Sequence, residues 1–397
     1  MTISDIARRA GTSIATVSHV LHGTKFVRPE LAARVRSAVA ALDYRPDALA
    51  RALRTARTRN LGVVLPDLRD HRYTMLLKGC AVAAQASGFS LMIEDAEGSW
   101  AREAQCTARL LDKRVDGLAV APVGTANEAL AQAVRQGVPV VLMDGLLEGL
   151  PVPAVLPDVE PGVCAAIMHL WEGGHRRIGF VAGTLDTTLR RACFAGYERG
   201  LAACGLRVDT ALVTSCPPDV VGGAKGVSGL LGLRRPPTAL FVAGPSLVLG
   251  ALRALHERGL CCPEDMALVG LGDTEWAGAA TPSLTVVDIP DYDVGRAAVG
   301  LLASSRPLGP VAVPGTLAPA PVEPRGPRPG RASAASDPGR GGAATAERVH
   351  CGRIVPHGEP IQRLPTRLIV RRSSEGRRPG RTRPAVHARR DADRAAV

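Results

Sequence analysis

The chain has 397 residues, 46% hydrophobic but only 3% aromatic, so it can fill more than one domain and must build its cores largely from Ala, Val and Leu. The formal net charge of +12 is uneven: residues 1–60 carry eleven basic and four acidic side chains, residues 304–397 eighteen and seven, and the middle is net acidic. A basic front on an acidic body points to a polyanion partner, and three other features argue against secretion and membrane spanning. MTISDIARRAG has no apolar signal segment, no uncharged apolar run approaches about 18 residues, and the nine cysteines are scattered without a C-x-x-C, as fits reduced cytoplasmic thiols.

In chain order, Thr2 and Asp5 form a T-x-x-D start for a first helix, with Ile3, Ile6, Ala7 and Ala10 on one face. Gly11 ends it, because glycine tolerates the left-handed corner. Ser13 is placed to cap a second helix whose buried stripe is Val17, Val20 and Leu21, leaving Ile14, Ala15, Ser18 and His19 outward. A third helix follows Pro29, with Val35, Ala38, Val39 and Leu42 inside. Two short helices joined at a glycine with a third behind them read as a helix-turn-helix over residues 1–46; the plainer alternative is a three-helix surface segment. The second helix has the width to enter a major groove N-terminus first.

The stretches TISDIARRAGTSIATVSHVLHG, VRPELAARVRSAVAALDYRPDALARALRT and NLGVVLPD together resemble the lactose-repressor (LacI/GalR) family of bacterial transcription regulators. The resemblance runs from residue 2 to about 302 and returns near 364–374. It implies that Ile14, Ala15 and His19 read bases, and that Thr2, Ser13, Thr16 and Ser18 contact phosphates. His19 stands where the family usually has arginine, and an imidazole grips guanine less firmly than a two-pronged guanidinium. Residues 47–59 then correspond to a hinge helix and linker, too short to be helical alone in water. Leu53 matches the leucine that wedges into the minor groove, and Ala50 the small residue that allows close approach. The plain alternative makes Leu53 a linker residue. Arg51, Arg54, Arg57 and Arg59 add salt-dependent phosphate attraction.

Residues 60–302 alternate apolar runs with helical patterns. LGVVLP, SLMIED, GLAVAP and PVVLMD read as buried parallel strands. After AVLPD the alternation restarts with RIGFVAG, ALFVAG and MALVGLG. Two such sets imply an α/β core of two similar lobes, with crossovers near 158 and 290 and a ligand cleft at the C-terminal strand edges. The resemblance implies a periplasmic-binding-protein-like core whose small-molecule effector, a carbohydrate or a derivative, shifts the lobes.

By the same resemblance the effector contacts fall on Arg72, Tyr73, Arg190, Arg191, Asp273 and Trp276. For Arg72, Tyr73, Arg191 and Asp273 a surface or capping role is the alternative. Several usual polar groups are missing: Gly145 follows Asp144 in place of arginine, Cys193 stands at an arginine position, and Gly244-Pro245 replaces Asn-Asp. A cleft so depleted suits something other than a simple hexose, or a weak response.

No catalytic, metal or cofactor motif emerges. Gly226-Val227-Ser228-Gly229-Leu230 misses the second glycine of a nucleophile elbow, GGAKG at 222–226 lacks P-loop order, and His169 and His175 read as lone surface histidines. Residues 303–363, rich in Pro, Gly, Ala and Arg, read as disordered. Residues 375–397 read as a basic disordered tail, and three readings stand for the C-terminal region: a frame-shifted stretch restored near 358, a genuine Arg-rich arm, and a segment at 377–397 that merely solubilises. LPTRLIVRRSS, within 364–374, reads as a closing strand between them. The composite expectation is a homodimeric, cytoplasmic repressor that is not an enzyme, binds double-stranded operator DNA and needs no cofactor or membrane. The alternative is a small-molecule binding protein with only non-specific DNA affinity.

Overall fold

The computed structural model describes residues 2–23, 25–44, 57–184, 187–304 and 361–374. They divide into two units, residues 1–60 with 114–116 and the rest, taken here one at a time.

The first unit carries α1 (Ile3–Ala10), α2 (Ile14–His22) and α3 (Pro29–Ala41). Thr2 and Asp5 cap α1 reciprocally: the Thr2 backbone N–H donates to Asp5 at 2.9 Å, and the Asp5 N–H donates back to the Thr2 hydroxyl. Gly11 turns the corner at φ 60°. Ser13 accepts from the Thr16 N–H and caps α2. Pro29 opens α3, where its missing N–H costs nothing. Ile6, Ala7, Ala10, Val17, Ala32, Val35 and Ala38 are buried, with Ile3, Val20, Leu21, Val39 and Leu42 packed around them, so the apolar stripes of all three helices meet in one small core.

In the second unit, lobe 1 comprises β1 (Asn60–Leu65), α4 (His71–Ala86), β2 (Ser90–Asp95), α5 (Trp100–Asp112), β3 (Leu118–Val120), α6 (Glu128–Arg135), β4 (Val140–Met143) and β5 (Ala154–Asp158). Lobe 2 comprises α7 (Val159–Glu172), β6 (Ile178–Ala182), α8 (Thr188–Ala203), β7 (Val213–Ser215), α9 (Val220–Leu231), β8 (Ala239–Val242), α10 (Pro245–Glu257), β9 (Ala267–Leu271), α11 (Glu275–Ala279) and β10 (Thr285–Asp288). The chain then re-enters lobe 1 as α12 (Asp291–Ser304). Finally β11 (Ile361–Pro365) joins the first sheet and β12 (Arg367–Ile369) the second.

The sheet orders are β11-β5-β4-β3-β1-β2 and β12-β10-β9-β8-β6-β7. In each, the first strand in sequence has neighbours on opposite sides, β2 and β3 around β1 and β7 and β8 around β6. Such reversals open a crevice at the C-terminal strand ends, which is where a ligand site belongs in an open α/β sheet. Lobe 1 buries Leu61, Val63, Leu65, Val141 and Met143 against Leu76, Val294 and Val299. Lobe 2 packs Phe180, Tyr197 and Phe241 together, with ring centroids 5.0 and 5.9 Å apart. Helices α4 and α12 touch backbone to backbone. A side-chain carbon at Gly79 would overlap the Tyr292 carbonyl oxygen, and one at Gly295 would overlap the Leu76 carbonyl oxygen.

Three expectations are corrected. SLMIED is not a buried strand: as β2 it lies at the sheet edge, and Ile93 is 46% exposed. The closing segment begins at 361 rather than 364 and forms two strands instead of one, β11 parallel to β5 and β12 antiparallel to β10. Thr366 between them donates to the Asp158 carbonyl at 2.9 Å, so this third crossover is tied to the first. Nor do the two histidines sit at the surface. His175 is buried with Nδ1 2.9 Å from the Thr238 hydroxyl, and half-buried His169 bonds the buried Ser374 hydroxyl at 2.8 Å. His175 ties the end of α7 to the residue before β8, and His169 ties α7 to the closing segment, tertiary roles that no local pattern announces. The hinge residues Ala50 and Leu53, and nearly all of 303–363 and 375–397, lie outside the described residues.

Candidate functional site

In the first unit, Ile14 is 50% exposed, Ala15 is exposed, and Ser18 and His19 are half-buried, whereas Val17 on the opposite face is fully buried. The N-terminal turn of α2 therefore offers side chains outward while its stripe anchors it. Its approach angle is set by the Gly11 corner and by a residue that sequence reasoning missed. Arg34 of α3 donates to the Ala10 carbonyl at 2.6 Å, and its guanidinium lies where a side chain on Gly11 would have to go. Glycine is favoured here by its positive φ, and a side chain in its place would also have to displace the Arg34 guanidinium. The Thr2 hydroxyl donates to Asp5, and the Ser13 and Thr16 hydroxyls lie 2.9 Å apart. Each therefore has a helix-capping partner at the face where phosphate contacts are expected.

In the second unit the cleft is organised around Arg72. Asp70 caps α4 by accepting from the Arg72 N–H, which sends the Arg72 side chain inward just beyond β1. There Nη2 donates to Asp144 at 2.8 Å and to Asp291 at 2.7 Å, and Nε donates to the other Asp291 oxygen at 3.2 Å. Asp144 follows β4 at a left-handed φ of 64°, which is uncommon for a non-glycine residue and is held by this pairing and by its N–H donating to Val155. Tyr73 donates to Asp144 at 3.3 Å, and its ring centroid is 5.8 Å from the guanidinium carbon.

All three ionic groups are buried, with side chains 7–9% exposed. Burial works against the Arg72 charge, but Asp144 and Asp291 outweigh it and hold the guanidinium protonated. Burial pushes Asp291 up to about 7, with Arg72 opposing and Asp144 and Asp70 adding to the rise. Burial likewise keeps the Tyr73 phenol neutral. Asp291 carried no signal in the sequence, because it meets Arg72 across 219 positions.

The lobe 2 wall offers little to a polar ligand at this point. Cys193 is buried, and burial pushes its thiol up to about 12, so it stays neutral. At Gly272 a side-chain carbon would fall 3.7 Å from Arg72 Cδ. Asp273 is bound by Arg371 of the closing segment through two bonds of 2.8 Å. Trp276 packs half-buried on the lobe 2 core, Arg190 donates to the Thr184 carbonyl at 3.2 Å, and Arg191 is exposed. The structure therefore brings Arg72 and Tyr73 together with Asp144 and Asp291, and places Asp273 with Arg371.

Comparison with known proteins agrees with this architecture. Residues 2–47 match the family described as bacterial regulatory proteins, lacI family, and residues 167–326 match the periplasmic binding protein-like domain. The catabolite control protein A of Priestia megaterium is 32% identical over 303 residues, which is 76% of this chain and 91% of that protein. The ribose operon repressor of Haemophilus influenzae is 30% identical over 301 residues, 76% of this chain and 90% of that one. Among solved structures, the lac repressor dimer bound to operator and the anti-inducer ONPF aligns with a TM-score of 0.73 at 22% identity, covering 94% of this chain and 99% of that one. The transcriptional regulator CelR in complex with cellobiose aligns at 0.63 and 25% identity with the same coverage. An outward-facing second helix on a pinned glycine corner, a two-lobed core behind it in the sequence, and relatives 30% or more identical over three quarters of the chain make the protein a DNA-binding transcriptional regulator of the LacI family.

Proposed function

We propose that the chain acts as a homodimeric repressor on a pseudo-palindromic operator and that a small molecule entering the interlobe cleft tunes its affinity. The observation that carries the DNA reading is the exposed N-terminal turn of α2 behind the Gly11 corner. On this reading Ile14, Ala15 and His19 meet base edges while Thr2, Ser13, Thr16 and Ser18 meet phosphates. Ala50 and Leu53 approach the minor groove from a paired hinge. Twofold pairing of the protein then dictates the twofold site.

Self-association is supported by the edge of β2, which has no further strand beside it among the described residues, and by an open, mostly apolar groove of about 420 Å³ beside it, lined by Leu77, Ala81, Phe89, Leu91 and Ile93. A carbohydrate or its derivative is the effector class, by analogy with the cellobiose complex above and with a family member from Enterococcus faecium solved with bound ribose. Working location is the cytoplasm, where the DNA is.

The test is selection of bound sites from a random duplex pool, followed by salt titrations on the selected and scrambled duplexes and sedimentation of the free protein. A dimer with a large affinity ratio between the two duplexes is expected. A monomer with equal, purely salt-driven affinity for both would overturn the reading and leave a binding protein with only non-specific DNA affinity.

A further inference from the structure

We infer that the Arg72 guanidinium is a resident ligand of the interlobe cleft, occupying a guanidinium-shaped site made by Asp144, Asp291 and Tyr73. The inference rests on the reading of the cleft as the effector site, and it says what already fills the acidic part of that site.

Four observations carry it. First, Arg72 projects from the first turn of α4, the helix that follows β1, into the crevice beside the strand reversal, where this architecture places ligands. Second, the head is bound as a ligand is bound. Nε and Nη2 both donate to Asp291, and Nη2 also donates to Asp144, so the planar fork is matched on two edges by carboxylates. Third, the lobe 2 groups that act on this site give the guanidinium no rival acid: Cys193 is a neutral thiol, and Arg190, which acts on Tyr73 and Cys193, is itself a cation. Fourth, one of the two acids lies on the connection between lobes. Asp291 follows Pro290, where the chain passes from β10 of lobe 2 into α12 of lobe 1. Binding the guanidinium therefore anchors the lobe 1 end of that connection as well as filling the cleft.

Two consequences follow for ligands. The two carboxylates are committed, so an entering sugar finds no free acid there for its hydroxyls and must bind beside the guanidinium. A molecule that does reach the acids has to offer what Arg72 offers, a planar cation with donors on two edges.

The test is chemical rescue in the full-length protein. Arg72→Ala is expected to melt at least about 4 °C below the wild type. Millimolar N-ethylguanidinium should raise the melting temperature of the variant but not that of the wild type, and ethylammonium, a point charge without the fork, should do less. An unchanged melting temperature in the variant, or an equal response of both proteins to N-ethylguanidinium, would overturn the inference. Should the alanine variant not accumulate in folded form, the wild type itself supplies the second measurement. Nitrogen-labelled arginine should give one side-chain Nε–H signal slow to exchange with water, absent from Arg72→Lys and displaced in Asp291→Asn. Absence of any such protected signal would equally overturn it. Neither measurement contains DNA or sugar, so a failure here is separate from a failure to find an operator.

Discussion

Arg72 and Asp291 stand 219 positions apart in the chain and are joined by two hydrogen bonds of 2.7 and 3.2 Å in a site closed to solvent. The pair, with Asp144, sits where the cleft, the end of β4 and the second lobe connection meet. A buried ion cluster need not stabilise the fold as a whole, since removing charges from water is costly. Breaking it from one side is different. Arg72→Ala leaves two carboxylates facing each other without a cation, and a loss of about 3–5 kcal/mol is expected in urea unfolding. A triple variant with Arg72→Met, Asp144→Leu and Asp291→Leu should recover much of that loss. Additive losses across the three changes would contradict the account.

The same cluster predicts a pH effect. In the unfolded chain Asp291 titrates near the ordinary carboxylate value of 3.8, whereas in the folded protein burial raises it to about 7, opposed by Arg72 and aided by Asp144 and Asp70. Between those values the folded state retains a proton that the unfolded state has lost, so this group's contribution is present at low pH and is lost as pH rises through about 7. Moving from about pH 7.5 to about pH 5.5 should therefore raise the melting temperature of the wild type relative to Asp291→Asn. Parallel curves for the two proteins would show that Asp291 does not titrate in this range.

The contact between α4 and α12 is a backbone contact, and a methyl group has nowhere to go. Gly295→Ala drives its new carbon into the Leu76 carbonyl oxygen, an atom that cannot move aside without breaking α4. A loss above about 3 kcal/mol is expected, beyond the usual range for overpacking because the obstacle is main chain. Gly300 lies in the same helix with open space around it, and Gly300→Ala should be neutral or slightly stabilising through helix propensity. Comparing the two melting curves isolates the contact from the propensity.

At the DNA face, His19→Ala is expected to weaken binding to the selected operator by about 1–3 kcal/mol and to leave binding to random duplex nearly unchanged. Equal losses on both duplexes would assign His19 to the backbone rather than to a base.

The closing segment makes a further prediction. Ser373 is fully buried; its hydroxyl donates to the Leu268 carbonyl at 2.6 Å and accepts from the Thr285 N–H at 2.8 Å. A chain ending at residue 360 loses β11, β12 and the Arg371 partner of Asp273 together. Its unfolding by calorimetry should lose cooperativity, or the chain should fail to accumulate. An unchanged transition would show the segment to be dispensable.

The sequence by itself determined the elements whose physics is local. The capping box at Thr2 and Asp5, the left-handed corner at Gly11, the Ser13 cap and the stripe through Val17 each depend on residues three or four positions apart, and each appears in the structure as the pattern says. The same holds for the central strands, whose apolar runs are long enough to require burial on both faces. The sequence did not reveal that SLMIED lies at an edge, because strand order is a matter of which segments find one another and leaves no mark on composition.

Only the tertiary structure decided what fills the cleft. A guanidinium at 72 and carboxylates at 144 and 291 are three unremarkable charges in a linear reading, equally at home on a solvated surface. Folding brings strand ends and a lobe connection to one point, removes the water, and turns them into a single bonded group. Burial and long-range pairing, not residue identity, set the role of Arg72, of Asp291 and of the Arg371–Asp273 pair.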